Sequence, residues 1–303
     1  MKKLFPAIAA LAIIACNSAN QNQTSQNVDS SIPVETCPGA SLQTPTPHQP
    51  VFVLSDQFGS KFLLQSQFQD GANPTADDSL KSYKYAIYGG KTFPVSFKGV
   101  QLENKEKNTF RDTYRNFDNL PGWIYTMNNG KLLENPKDEW DAIWGAALLV
   151  DSFFVADNQI LPFQEKSVVT PAMKTALEKK FSRKIQALPS SLSFGNNGEY
   201  QMVNVQFKNK GTDALGVSAL FLNGEILAVK EFPAEWNEES VWRVDDMGEF
   251  RGLYVDLATV NNNVLTIYTA NSGAEGCNYD QYIIKDGAFF QGTINASFYQ
   301  APE

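Results

Sequence analysis

Short apolar runs separated by polar turn residues follow one another through most of the chain. Five pairs of runs have the form of a β-hairpin, and two of these pairs turn at Asn223-Gly224 and at Asp286-Gly287. These dipeptides favour hairpins because both central residues of a type I′ turn need a positive φ. The pattern predicts hairpins that join residues 51–54 to 62–64, 123–127 to 132–133, 153–155 to 160–163, 215–222 to 225–232, and 282–284 to 289–290.

Four further runs are typical of strands: 202–207, 241–244, 250–257 and 264–270. In the first of them, Val203, Val205 and Phe207 alternate with polar residues, which indicates a sheet with one face on a core. The run of asparagines at 261–263 suits a turn that contains left-handed residues.

Three segments instead predict helices. A cap and a proline at Asn135-Pro136 precede an apolar stripe at Trp140, Ile143, Trp144, Ala147 and Leu148. A second helix begins at Thr170-Pro171, presents one apolar face and ends near residues 188–189. The third, over 103–117, has a weaker apolar side. The apolar face of the second helix comprises Met173, Leu177, Phe181 and Ile185, and that of the third comprises Phe110, Tyr114 and Phe117.

These elements together predict an α+β fold. Antiparallel hairpins and meanders predominate, with two or three helices in the first half and an all-β second half. The predicted divisions are 1–15, 16–50, an α+β region at 51–188 and an all-β region at 189–303. The last two regions can also form one continuous domain.

The pattern of the N-terminus predicts a targeting signal. Lys2 and Lys3 precede about ten apolar residues, a run that is too short to span a bilayer, and this run ends at Ala15-Cys16. The segment resembles the signal peptide and lipobox of bacterial lipoproteins. The resemblance, which covers residues 1–16 only, implies cleavage before Cys16 and acylation of its thiol and amine. By the enteric sorting rule, Asn17 favours the outer membrane over the inner one.

Residues 17–50 predict a disordered tether, since Asn, Gln, Ser, Thr and Pro predominate there. Two cysteines remain once Cys16 is acylated, and in an exported protein an even pair indicates a disulfide between Cys37 and Cys277. The alternative is a pair of free buried thiols.

Composition excludes much of the usual catalytic chemistry. The one histidine, His48, lies in the tether, so a catalytic triad or a histidine-ligated zinc site in the folded part has no histidine to use. No motif indicates a cofactor or a metal. The net charge of −8 argues against nucleic acid as a partner.

A site that uses only carboxylates is compatible with this composition. The densest acidic cluster surrounds two tryptophans between residues 235 and 246, with Trp236, Glu238, Glu239, Trp242 and Asp245 as candidate ligand-binding residues. The sequence therefore predicts a lipid-anchored cell-envelope protein that binds or assembles with an envelope protein or a glycan and has no catalytic residues. The alternative is a carboxylate-dependent glycan hydrolase or sugar-binding module centred on this cluster.

Overall fold

The computed structural model describes residues 49–65, 74–75, 77–133, 147–273 and 275–300. Of these residues, 51% lie in strands and 11% in helices. The strands form a closed six-stranded barrel and a curled nine-stranded sheet. The predicted α+β class is therefore wrong, because strands predominate over helix, only two α-helices occur among the described residues, and the first half contains a complete six-stranded barrel.

The barrel comes first along the chain, and all of its strand pairs are antiparallel, in the order β1-β2-β5-β4-β3-β6. Its strands are β1 (Val51–Ser55), β2 (Lys61–Leu64), β3 (Tyr85–Tyr88), β4 (Lys91–Gln101), β5 (Gly122–Met127) and β6 (Ala147–Val150).

Continuous apolar runs such as those of β1 and β6 indicate burial on both faces. One face fills the barrel with side chains that include Val53, Phe62 and Tyr125. The opposite face, which includes Phe52 and Leu148, packs on the second sheet. Side chains thus fill the interior of the barrel, and its outer side provides half of a second hydrophobic core.

The nine-stranded sheet has the order β7-β12-β13-β14-β15-β11-β10-β9-β8. Its strands are β7 (Gln159–Ile160), β8 (Ile185–Phe194), β9 (Tyr200–Phe207), β10 (Asp213–Leu222), β11 (Glu225–Glu235), β12 (Tyr254–Asn261), β13 (Val264–Ser272), β14 (Gly276–Lys285) and β15 (Ala288–Tyr299).

The sheet curls around its own core. Side chains from β8–β11, such as Met202 and Leu220, pack against side chains from β12–β14, such as Ile267 and Tyr282. The two halves meet at one parallel pair, Val229 with Ala288, whereas every other pair is antiparallel. Beyond that pair, β11 and β15 do not hydrogen-bond to each other.

The predicted Asn-Gly and Asp-Gly hairpins are confirmed. Asn223 and Gly224 join β10 to β11 with φ of 51° and 86°, and Asp286 and Gly287 join β14 to β15 with φ of 50° and 77°. The hairpin of β1 and β2 and the asparagine turn before β13 are also confirmed.

Of the predicted helices, the second is confirmed in its first three turns. Helix α2 (Pro171–Phe181) begins at the Thr170 cap and packs Met173 and Leu177 on β9 and β10. It ends at Phe181 rather than near residue 188 because Ser182 adopts a left-handed conformation. Residues 188 and 189, the predicted domain boundary, lie inside β8.

The other helix predictions are wrong where the structure describes them. No α-helix occupies 103–117: turns and bends fill this segment up to a short 3-10 helix at Phe117–Asn119, and Phe110, on the predicted apolar side, is 73% exposed. Ala147 and Leu148 begin strand β6, while residues 134–146 lie outside the described part. Conversely, residues 153–155, predicted as a strand, belong to helix α1 (Ser152–Asp157), which the Asp151 side chain caps.

Three strand predictions also differ. Residues 132–133 and 241–244 lie outside strands, and β12 begins at Tyr254 rather than at residue 250. Asp246 holds 241–243 in a loop, as described below. Among the described residues, no helix has the length and apolarity that crossing a membrane requires.

Candidate functional site

The acidic loop, residues 236–249, joins β11 to the segment before β12 and contains all five predicted ligand-binding residues. Asp246, which is 2% exposed, fixes the conformation of this loop. The carboxylate of Asp246 accepts four backbone N–H groups, at 2.6–3.1 Å, from Val241, Trp242, Arg243 and Gly248. Burial acts to raise the pKa of Asp246, but these donors outweigh it and hold the pKa below its usual value.

The two tryptophans of the loop pack against the protein. Trp242 donates its indole N–H to the carbonyl of Phe232 at 2.8 Å, and its ring lies edge-on to Phe250. The ring of Trp236 covers Gly248 so closely that a Cβ there would lie 2.2 Å from it. Both indoles therefore stabilise the loop.

The predicted acids Glu238, Glu239 and Asp245 are exposed on the same loop. At its tip, Val244 and Met247 are also largely exposed. The structure thus brings Trp236 and Trp242 together with Asp246, a residue outside the predicted set, and leaves the three predicted acids facing water. An acid followed closely by glycine in a turn was the one sequence signal for the role of Asp246.

A second polar surface lies on β13–β15, and we call it the amide face. Two rows of side chains cross the three strands: Asn271 pairs with Asn278, which pairs with Ser297, and Thr269 pairs with Asp280, which pairs with Asn295. Alternation along the strands places these side chains on one face. The alternate residues, including Cys277, Tyr279 and Phe298, pack on the barrel from the other face.

The side chains of the first row are not used within the described protein. Asn278 and Ser297 are exposed and Asn271 is half-buried, and none of the three makes a side-chain hydrogen bond to another described residue. In the second row, Gln291 donates to Asp280 at 2.9 Å. Beside the rows stands Tyr299, 45% exposed, with the Arg111 guanidinium 5.8 Å from its ring centre.

A half-buried acid lies where the barrel meets the sheet. Asp256 occupies a β-bulge in β12, and its Oδ2 is buried without a hydrogen-bond partner among the described residues. Burial raises the pKa of Asp256 to about 7. Its charge in turn acts on Tyr88, from the barrel, and on Cys277, from β14, and raises both pKa values further than burial alone.

Cys277 is buried and forms no disulfide with another described residue. Cys37, its predicted disulfide partner, lies outside the described residues, as do Cys16 and His48. The disulfide therefore stays a prediction, and so does acylation of Cys16.

A cavity of about 220 Å³ opens between β8 and the start of β12, beside Ser190 and Leu253. Asn204 is its main polar side chain, and both ends of the amide are engaged. It donates to Ser190 and to the Leu253 carbonyl, and it accepts from Ser218. The cavity is thus mainly apolar, and the Asn204 amide in its wall is already hydrogen-bonded to neighbouring protein groups.

Within the described ranges, no three His, Cys, Asp or Glu side chains converge as metal ligands. The amide face, in contrast, presents neutral hydrogen-bonding side chains in register across three strands. No family model matches the chain, and neither a curated protein nor a solved structure is significantly similar to it.

Proposed function

We propose that this chain is a lipid-anchored protein of the bacterial cell envelope that binds its ligand without transforming it. Cys16 carries the acyl chains, and Asn17 directs the protein to the outer membrane. The tether, residues 17–50, separates the folded body from the lipid surface.

The amide face is the observation that supports binding. Side chains that serve only solubility are mostly charged and irregularly placed, whereas here neutral amides and a hydroxyl repeat in register across neighbouring strands. Such groups orient a ligand by hydrogen bonds but supply neither a nucleophile with an adjacent base nor a pair of carboxylates in a pocket.

The glycan hydrolase alternative has less support. Its site, the acidic loop, presents exposed acids, and its two tryptophans are engaged in packing. A stacking platform needs an open indole face, and a general acid needs a desolvated carboxyl group.

The anchor is tested in intact cells with Cys16→Ser. We expect the wild type to incorporate radiolabelled palmitate and to sediment with membranes, and the variant to do neither, because one apolar run without acyl chains gives no stable attachment. Cys37→Ser, which leaves the lipobox intact, is the matched control and should remain membrane-bound.

Asn17→Asp tests whether residue 17 directs the protein to the outer membrane. On sucrose gradients it should move the protein from the outer-membrane fraction to the inner-membrane fraction. A wild type that never sediments with membranes, or a Cys16→Ser variant that still does, overturns the anchor.

A further inference from the structure

We propose that the amide face binds an extended, uncharged saccharide chain that runs across β13, β14 and β15. This inference rests on the proposed binding function and names its ligand class. It does not depend on the lipid anchor.

The spacing of the rows fits a chain of sugar rings. Neighbouring strands lie about 4.8 Å apart, so the side chains of Asn271, Asn278 and Ser297 recur at that interval. One ring of an extended polysaccharide advances by a comparable distance. The accessible members of the second row, Asp280 and Asn295, lie two residues further along their strands, roughly 7 Å away, and can reach the opposite edge of the same rings.

The chemistry of the rows fits vicinal hydroxyl groups. A side-chain amide offers two donors and two acceptor lone pairs, and a serine hydroxyl offers one donor and two. A sugar hydroxyl also donates and accepts, so Asn278 can pair with neighbouring hydroxyls simultaneously. Asp280, which Gln291 holds at 2.9 Å, adds an acceptor in a fixed position.

One feature at the margin of the amide face also suits a saccharide. Tyr299 follows Ser297 on the same face of β15, and its 45% exposed ring offers an apolar surface for the C–H side of a sugar. Thr269, at the inner end of the second row, is fully buried, so Asp280 and Asn295 are the members of that row that a ligand can reach.

Other ligand classes fit the face less well. A protein interface has a core of aromatic, Met and Arg side chains, whereas the two rows hold amides, hydroxyls and one carboxylate. A nucleic acid needs several cations to neutralise its phosphates, and the rows contain none. The single carboxylate, Asp280, likewise disfavours an anionic polysaccharide.

The experiment uses the full-length protein in detergent micelles and isothermal titration with chitotetraose, cellotetraose and maltotetraose. We expect at least one of these neutral tetrasaccharides to bind with a Kd of roughly 1 mM or tighter. Asn278→Ala, in the centre of the first row, should weaken binding at least about tenfold. Asn129→Ala removes an exposed amide from a turn of the barrel and should leave binding unchanged.

Ser297→Ala is the second variant and keeps the test valid if Asn278→Ala fails to fold. The inference is overturned if none of the three sugars binds, or if both variants bind as the wild type does. It is also overturned if a photo-crosslinker at position 278 captures a protein in cells and no glycan. Because detergent replaces the membrane, a failed titration leaves the anchor untouched, and a Cys16→Ser protein that loses the membrane but still binds sugar separates the two proposals.

Discussion

The Asp112 carboxylate accepts the backbone N–H of Tyr299 at 2.8 Å, and the Asp112 N–H donates to the carbonyl of Tyr299 at 2.6 Å. The two residues are 187 positions apart in the sequence. Gln65 donates to the other carboxylate oxygen at 2.5 Å. A loop of the barrel region thus holds the last strand of the sheet, and the amide face depends on this connection for the position of its outer strand.

Asp112→Ala should therefore destabilise the protein by about 2 kcal/mol, since it leaves a backbone N–H and a side-chain amide without their acceptor. The expected fall in Tm is roughly 5 °C. Hydrogen exchange at the Tyr299 amide should accelerate more than at residues of the barrel. Asp118→Ala, which removes a carboxylate that is 79% exposed, is the control and should change the stability by less than about 0.5 kcal/mol. An unchanged Tm in Asp112→Ala contradicts the role given to this pair.

The raised pKa of Asp256 predicts that the folded protein becomes less stable as the pH rises. Burial raises its pKa from 3.8 to about 7, so the folded state favours the neutral acid. The folded state binds more protons than the unfolded state between about pH 4 and pH 7, and the free energy of unfolding declines over that window. Asp256→Asn, which stays neutral, should abolish the decline and be more stable at pH 8, by at most roughly 4 kcal/mol.

Urea unfolding of both proteins from pH 4 to pH 8 measures this effect. Asp286→Asn, at an exposed turn, should follow the wild-type curve. Parallel curves for the wild type and Asp256→Asn would show that Asp256 ionises as readily as it does in an unfolded chain.

The lowered pKa of Asp246 predicts the opposite dependence of stability on pH. Its pKa is lowered in the folded state, so its contribution is present above about pH 4 and is lost as the pH falls. Asp246→Asn replaces one acceptor oxygen with an NH₂ that faces backbone donors, and it should cost about 3 kcal/mol at pH 7. The difference from wild type should shrink at pH 3. Asp245→Asn, its exposed neighbour at φ 56°, should be nearly neutral because Asn tolerates that conformation.

Tryptophan fluorescence, to which Trp236 and Trp242 contribute two of the five indoles, reports whether the acidic loop stays ordered in these variants. A red shift in Asp246→Asn and an unchanged spectrum in Asp245→Asn are expected. Equal stability of the two variants at pH 7 contradicts the organising role of Asp246.

Two glycines with similar φ should respond differently to the same change. Gly252 has φ +74°, and a Cβ there would lie 2.2 Å from Oδ1 of Asn204, whereas Gly211 has φ +63° and open space. Gly211→Ala should cost about 1 kcal/mol from backbone strain alone. Gly252→Ala adds the loss of the buried Asn204 hydrogen bonds and should cost at least about 3 kcal/mol. Thermal unfolding compares the two, and equal losses contradict the close contact.

Local signals allowed part of this fold to be predicted. The Asn223-Gly224 turn and the Thr170 cap act over a few residues, so both could be recognised from the sequence. The helix predicted at 103–117 failed because the Asn116 side chain bonds to Thr109, Asn108 and Arg111 and holds the segment in turns. Strand β4 was missed because Pro94 and Gly99 interrupt its apolar pattern. In the structure, a β-bulge in the pairing with β5 accommodates Gly99.

The amide face was beyond sequence reasoning for a different reason. Asn271, Asn278 and Ser297 belong to three strands, and they adjoin only through the register of two ladders. Each is an ordinary polar residue when taken alone. The predicted cluster at 235–246 attracted attention because its residues are close in sequence, yet its most constrained member is Asp246.

The order of the strands along the chain sets an order of assembly. All six barrel strands precede residue 151, so a chain that emerges from its N-terminus has every barrel strand while β7 still lacks its partner β12. During that interval the outer side of the barrel, including Phe52 and Leu148, has not yet received Tyr279 and Phe298. Until the later strands pair, the barrel strands therefore have an apolar flank without its partner, and burying this flank completely requires the last strand of the chain.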